Sequence, residues 1–85
     1  MNNICKVCGL IYSDIYPWGE NGDIPSHAIC YCCGTEFGYE DNSIESSKAN
    51  REKWISEGAK WFHSEKKPEN WSLDEQLKNL PSEYK

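Results

Sequence analysis

Large apolar residues of the usual core kind are scarce in this 85-residue chain: Leu, Ile, Val and Phe together fill only 14 positions, and just two of those are Phe. No stretch approaches the roughly 18 apolar residues that cross a membrane, so no membrane-spanning helix is expected. Basic residues are also few, with nine Lys plus Arg against fourteen Asp plus Glu and a formal net charge of −5. Phosphate binding calls for a dense basic surface, so a nucleic-acid partner is not expected, and a basic protein partner fits better. The N-terminal Met1-Asn2-Asn3-Ile4 lacks the basic region and apolar run of a signal peptide. No Ser-His-Asp set or phosphate-cradling glycine loop can be read, so the expectation is a non-enzyme. So short a chain suits a single domain spanning 1–85, and with so few aliphatic side chains that domain needs a staple.

What the chain does have is aromatics and cysteines. Four Trp, five Tyr and two Phe make up 13% of the residues, enough apolar area for a small core. The five cysteines fall in two groups, Cys5-Lys6-Val7-Cys8-Gly9 and Cys30-Tyr31-Cys32-Cys33-Gly34. An odd number in C-x2-C spacing suits a metal site better than a disulfide framework and points to a reducing, cytoplasmic location. Two thiolates three positions apart on a tight turn can face one ion. The glycine that follows accepts positive φ and lets its amide approach sulfur. Two such turns make a tetrahedral site of Cys5, Cys8, Cys30 and Cys33 for Zn²⁺, with iron as the alternative. Cys32 is left over, either as a space-filling thiol or as a reactive one. Four thiolates and one Zn²⁺ would take the formal charge from −5 to about −7.

Composition changes near residue 40. Residues 1–40 hold every cysteine and read as a metal-binding ribbon. Residues 41–85 hold three of the four tryptophans and most of the basic residues, and read as a helical extension packed on it. No internal repeat is apparent. Leu10-Ile11-Tyr12 reads as a short strand, paired with a returning strand through Ile29 and Tyr31 across the turn-rich segment 17–23. Asp41, Asn42 and Ser43 offer caps for a helix whose apolar arc runs through Ile44, Ser47, Arg51, Trp54, Ile55, Gly58, Trp61 and Phe62, with Pro68 forbidding continuation. A shorter helix starts at the capping box Ser72-Leu73-Asp74-Glu75, carries Leu73, Leu77 and Leu80, and ends at Pro81. Arg51 is expected to lay its stem over a tryptophan or to pair with an acid. His27 and His63 are read as surface or packing residues. Trp18 either covers the metal site or stands exposed. Glu36, Glu40, Asp41 and Glu45, interleaved with Phe37 and Tyr39, form the best candidate for a partner-binding patch.

Cys5-Lys6-Val7-Cys8-Gly9-Leu10-Ile11-Tyr12 together with Ile24-Pro25-Ser26-His27-Ala28-Ile29-Cys30-Tyr31-Cys32-Cys33-Gly34 resembles the two metal knuckles of rubredoxins, and more broadly zinc ribbons. The family motifs run C-x-x-C-G-x-x-Y and I-P-x-x-W-x-C-P-x-C-G, so Ala28 stands in place of the tryptophan and Tyr31 in place of the proline. The likeness covers residues 4–38. A weaker one, to small cysteine-rich bacterial proteins with a C-P-C-C motif, rests on Cys30-x-Cys32-Cys33. The resulting expectation is an α+β fold: a small rubredoxin-like zinc ribbon of short antiparallel strands, followed by one longer and one shorter packed α-helix. The expected function is a small acidic structural-zinc protein that binds another protein, more narrowly an inhibitor or immunity protein for a basic partner. The alternative implied by the resemblance is a one-electron carrier with iron at the same four cysteines.

Overall fold

A computed structural model describes residues 3–85. Met1 and Asn2, the start of the segment read above as lacking a signal peptide, lie outside the described residues. The described residues form two α-helices, α1 (Ile44–Ser56) and α2 (Leu73–Leu77), and two 3-10 turns, Ser64–Lys66 and Ser82–Tyr84. Among them there is no β-strand and no sheet, which corrects the α+β expectation. Extended pairing is limited to two isolated bridges, Ile4 with Ile11 and Ile29 with Glu36. The expected pairing of the Leu10–Tyr12 segment with Ile29 and Tyr31 is replaced by pairing of each segment with its own near neighbour. The amides of Cys5 and Tyr12 donate to the carbonyls of Leu10 and Asn3, at 2.9 and 2.7 Å, while those of Cys30 and Phe37 donate to Thr35 and Ala28, at 2.8 and 3.0 Å. A hairpin that must close around C-x-x-C-G has only a residue or two per arm in pairing position, well short of a normal strand.

These two hairpins are the same structure offset by 25 residues. Cys5, Cys8, Gly9, Leu10 and Tyr12 take the places of Cys30, Cys33, Gly34, Thr35 and Phe37 in the hydrogen-bond pattern. Gly9 and Gly34 have φ of 86° and 78°, and their amides close the turns onto Cys5 and Cys30 at 2.8 and 3.1 Å. The chain therefore contains a structural repeat that its side chains conceal.

Helix α1 starts where the caps predict. The Ser43 hydroxyl accepts from the Ser46 amide at 3.0 Å, and Glu45 sits in the positive first turn. Ser47, Arg51 and Trp54 are its buried residues, a subset of the predicted arc. The helix ends well before Pro68, however. Gly58 and Ala59 both take left-handed φ, 104° and 51°, and the Ala59 amide turns back to the Trp54 carbonyl. Trp61 and Phe62 thus lie beyond the helix and do not extend its stripe. Trp54 and Trp61 instead pack edge-on against Trp71, with ring centres 6.4 and 5.8 Å away, while Phe62 is 59% exposed. Ser72 caps α2 by accepting from Glu75, but the helix spans only five residues. The core joins Val7, Tyr12, Phe37 and Trp54 to the buried cysteines.

Candidate metal centre

The hairpins bring Cys5, Cys8, Cys30 and Cys33 together, with all four sulfurs within 4.8 Å of one another. The Cys5–Cys33 and Cys8–Cys30 separations are 3.7 and 3.8 Å. A tetrahedron of sulfurs about 2.3 Å from a central ion has edges of about 3.8 Å, so the group has the spacing of a four-thiolate site. The four-cysteine group could hold a metal ion and is compatible with a zinc-ribbon-like segment. No disulfide ties any of the five cysteines. Cys32 is outside the group: it is fully buried, and its sulfur accepts from Gln76 Nε2 at 3.4 Å.

Burial pushes the Cys5 and Cys8 thiols well above their ordinary range, with hydrogen bonding to Cys30 adding to the effect. Cys30 is desolvated too, yet hydrogen bonds from Cys33, Cys5, Cys8 and Tyr12 bring it well below the ordinary range. Burial, followed by the nearby Cys30 charge, raises the Tyr12 phenol. Burial thus makes the Cys5 and Cys8 thiols hold their protons more tightly than a free thiol does. A cation entering the group must displace those protons, so metal binding releases acid.

The C-terminal half completes this site in a way that sequence reasoning missed. Four consecutive carbonyls of the first knuckle, those of Lys6, Val7, Cys8 and Gly9, accept from its side chains. Arg51 Nε donates to Val7 at 2.6 Å and Arg51 Nη2 to Lys6 at 3.1 Å. Gln76 Nε2 donates to Cys8 at 3.0 Å and Asn79 Nδ2 to Gly9 at 3.2 Å. Trp71 Nε1 in turn holds Gln76 Oε1 at 2.7 Å. Arg51, the chain's one arginine, is buried and makes neither the ion pair nor the tryptophan stacking expected of it. Its third acceptor is the Tyr84 carbonyl. In the second knuckle the equivalent carbonyls, those of Tyr31 and Cys32, accept from the His63 and Phe62 amides at 2.8 and 2.9 Å. The forked guanidinium therefore does on one knuckle what two successive amides do on the other.

Other expectations resolve locally. Asp41 is buried, accepting from Trp18 Nε1 at 2.8 Å and from the Gly38 amide at 2.7 Å. It therefore fastens the 17–23 loop to the second knuckle and takes no part in a surface acidic patch. Trp18 packs on the core instead of standing free. Phe37 is fully buried and Tyr39 is 71% exposed, which splits the predicted aromatic pair. His27 is exposed and faces Glu36 at 3.9 Å, while His63 packs against Tyr31 and Phe62. No helix among the described residues is long and apolar enough to cross a membrane. No family model, curated protein or solved structure matches the chain.

Proposed function

We propose that the four cysteines hold a structural zinc ion and that the protein, so stapled, acts in the cytoplasm by binding another protein with a basic surface, without catalysing a reaction. The observation that carries this reading is the row of first-knuckle carbonyls held by Arg51, Gln76 and Asn79. It makes the ion's loop the platform on which the C-terminal half is assembled, which is what a structural metal does. A four-thiolate site also leaves the ion no vacant position for a substrate. The acidic charge, together with the exposed Ile24, Tyr39 and Phe62, supports a protein partner, for which apolar anchors among charges are suited. The narrower reading is an inhibitor or immunity protein for a basic target. The first test is elemental analysis with a visible spectrum on protein from its own host. One equivalent of colourless zinc is expected.

The second reading is a one-electron carrier with iron. It is favoured by Cys33, the one member of the group that is only partly buried, since an edge near solvent is where an electron could leave. Under it, the same measurement returns iron with a thiolate-to-iron band, and voltammetry shows a reversible one-electron couple.

A further inference from the structure

We infer that Cys33 is an oxidation site on the metal centre, the point at which a small hydroperoxide opens it, with Cys5 as the resolving thiolate. This rests on the structural-zinc reading above. Cys5, Cys8 and Cys30 are fully buried, while Cys33 is partly exposed and lines a cavity of about 130 Å³ together with Thr35, Asn50, Lys53, Trp54 and Glu57. The space admits water-sized molecules and opens to solvent, so hydrogen peroxide can reach the sulfur. Its walls are largely polar, with Lys53 set among Glu40 and Glu57, which suits a small, neutral, polar oxidant such as hydrogen peroxide. Thr35 Oγ1 lies 3.1 Å from Cys33 Sγ and orients that sulfur at the cavity edge. The leftover thiol, Cys32, is fully buried and bonded to Gln76, so it has no such approach.

The Cys33 thiolate attacks one peroxide oxygen, the O–O bond breaks, and hydroxide leaves. Sulfur has then lost two electrons and become a sulfenic acid. Cys5 Sγ, 3.7 Å away, attacks the oxidised sulfur, forms the disulfide and releases a second hydroxide. Both hydroxides take protons from solvent. In sum, two thiolates and one hydrogen peroxide become one disulfide and two hydroxides. With two of its four ligands consumed, the ion loses its site.

The experiment uses the full wild-type chain after its zinc content has been measured. Substoichiometric hydrogen peroxide is added, zinc release is followed with a chromogenic chelator, and each thiol is mapped by differential alkylation and mass spectrometry. Cys33 is expected to be consumed roughly tenfold ahead of Cys8, Cys30 and Cys32, with zinc release tracking a Cys5–Cys33 disulfide. First oxidation at Cys32, or equal loss from all four cluster cysteines, overturns the inference while leaving the structural zinc intact. Protein that carries no zinc before peroxide is added overturns the structural-zinc reading instead. A chain whose zinc stays bound with Cys33 reduced under excess peroxide also overturns the oxidation site.

Discussion

The two knuckles share one backbone design and meet very different surroundings. In the first, side chains from α1, α2 and the residue-79 turn hold four carbonyls in succession, and Gly9 sits directly beneath the Gln76 carbonyl. In the second, two main-chain amides hold the equivalent carbonyls, Gly34 is covered by the ring of Phe62, and Cys33 is partly open. One knuckle is thus built into the interior by specific side chains. The other is covered by a passing stretch of backbone that nearly any residue could provide. It follows that the first should be sensitive to sequence and the second tolerant of it.

Metal removal tests whether the two knuckles stand or fall together, and it carries the largest expected effect. A strong chelator removes on the order of 10 kcal/mol of binding energy, and the near-UV circular dichroism of the Trp54–Trp71–Trp61 cluster is expected to collapse. An unchanged aromatic signal in metal-free protein would show that the C-terminal half does not depend on the knuckles.

Arg51→Met isolates the first knuckle. It strips the Lys6, Val7 and Tyr84 carbonyls of their donor, and urea unfolding of the metal-loaded protein should show a loss of about 3 kcal/mol. Arg51→Lys should recover little of it, because an ammonium lacks the fork. A loss below about 1 kcal/mol would mean that water satisfies these carbonyls as well as Arg51 does.

The glycine pair offers a direct comparison. A Cβ at Gly9 would stand 2.5 Å from the Gln76 carbonyl oxygen, which is fixed backbone. A Cβ at Gly34 would stand 3.3 Å from Phe62 Cδ1, the edge of a ring that can move. Both substitutions incur the left-handed cost of about 1–2 kcal/mol, so Gly34→Ala should lose about that much and Gly9→Ala about 2 kcal/mol more. Equal losses by thermal or urea unfolding would erase the proposed difference.

The smallest effect is expected from Phe62→Ser. Its amide remains to hold Cys32, its side chain is largely exposed, and stability should change by about 0.5 kcal/mol or less. Phe62→Pro, which deletes the donor, should cost more. If the serine variant were the worse of the two, the second knuckle would be held by its side-chain cover and not by its backbone.

The site and the fold were unequally legible. The four cysteines that cluster could be picked out because C-x-x-C-G writes its geometry within five residues. The Ser43 and Ser72 caps were legible for the same reason, each reaching an amide three positions on. The run of α1 was overestimated because helical periodicity continues past Gly58, whereas the chain must reverse there for the Phe62 and His63 amides to reach the second knuckle. Strands were expected from β-favouring residues around Ile11 and Ile29, but such propensity cannot tell pairing with a near neighbour from pairing across the molecule. The repeat was missed because Leu10 and Thr35, or Tyr12 and Phe37, share a backbone role without sharing chemistry.

Taken alone, the sequence determined the four cysteines of the candidate metal centre, the two glycine-closed turns and the starts of both helices. All of these are decided by residues a few positions apart. Only the tertiary structure decided that the lone arginine is a backbone clamp 44 residues from the carbonyl it holds, and that Gln76 reaches Cys8 across 68 residues. It alone buried the leftover Cys32 against Gln76 and left Cys33 at a cavity. Those outcomes depend on which buried carbonyls lack a partner once the chain has closed on itself, and that demand exists only in the folded molecule.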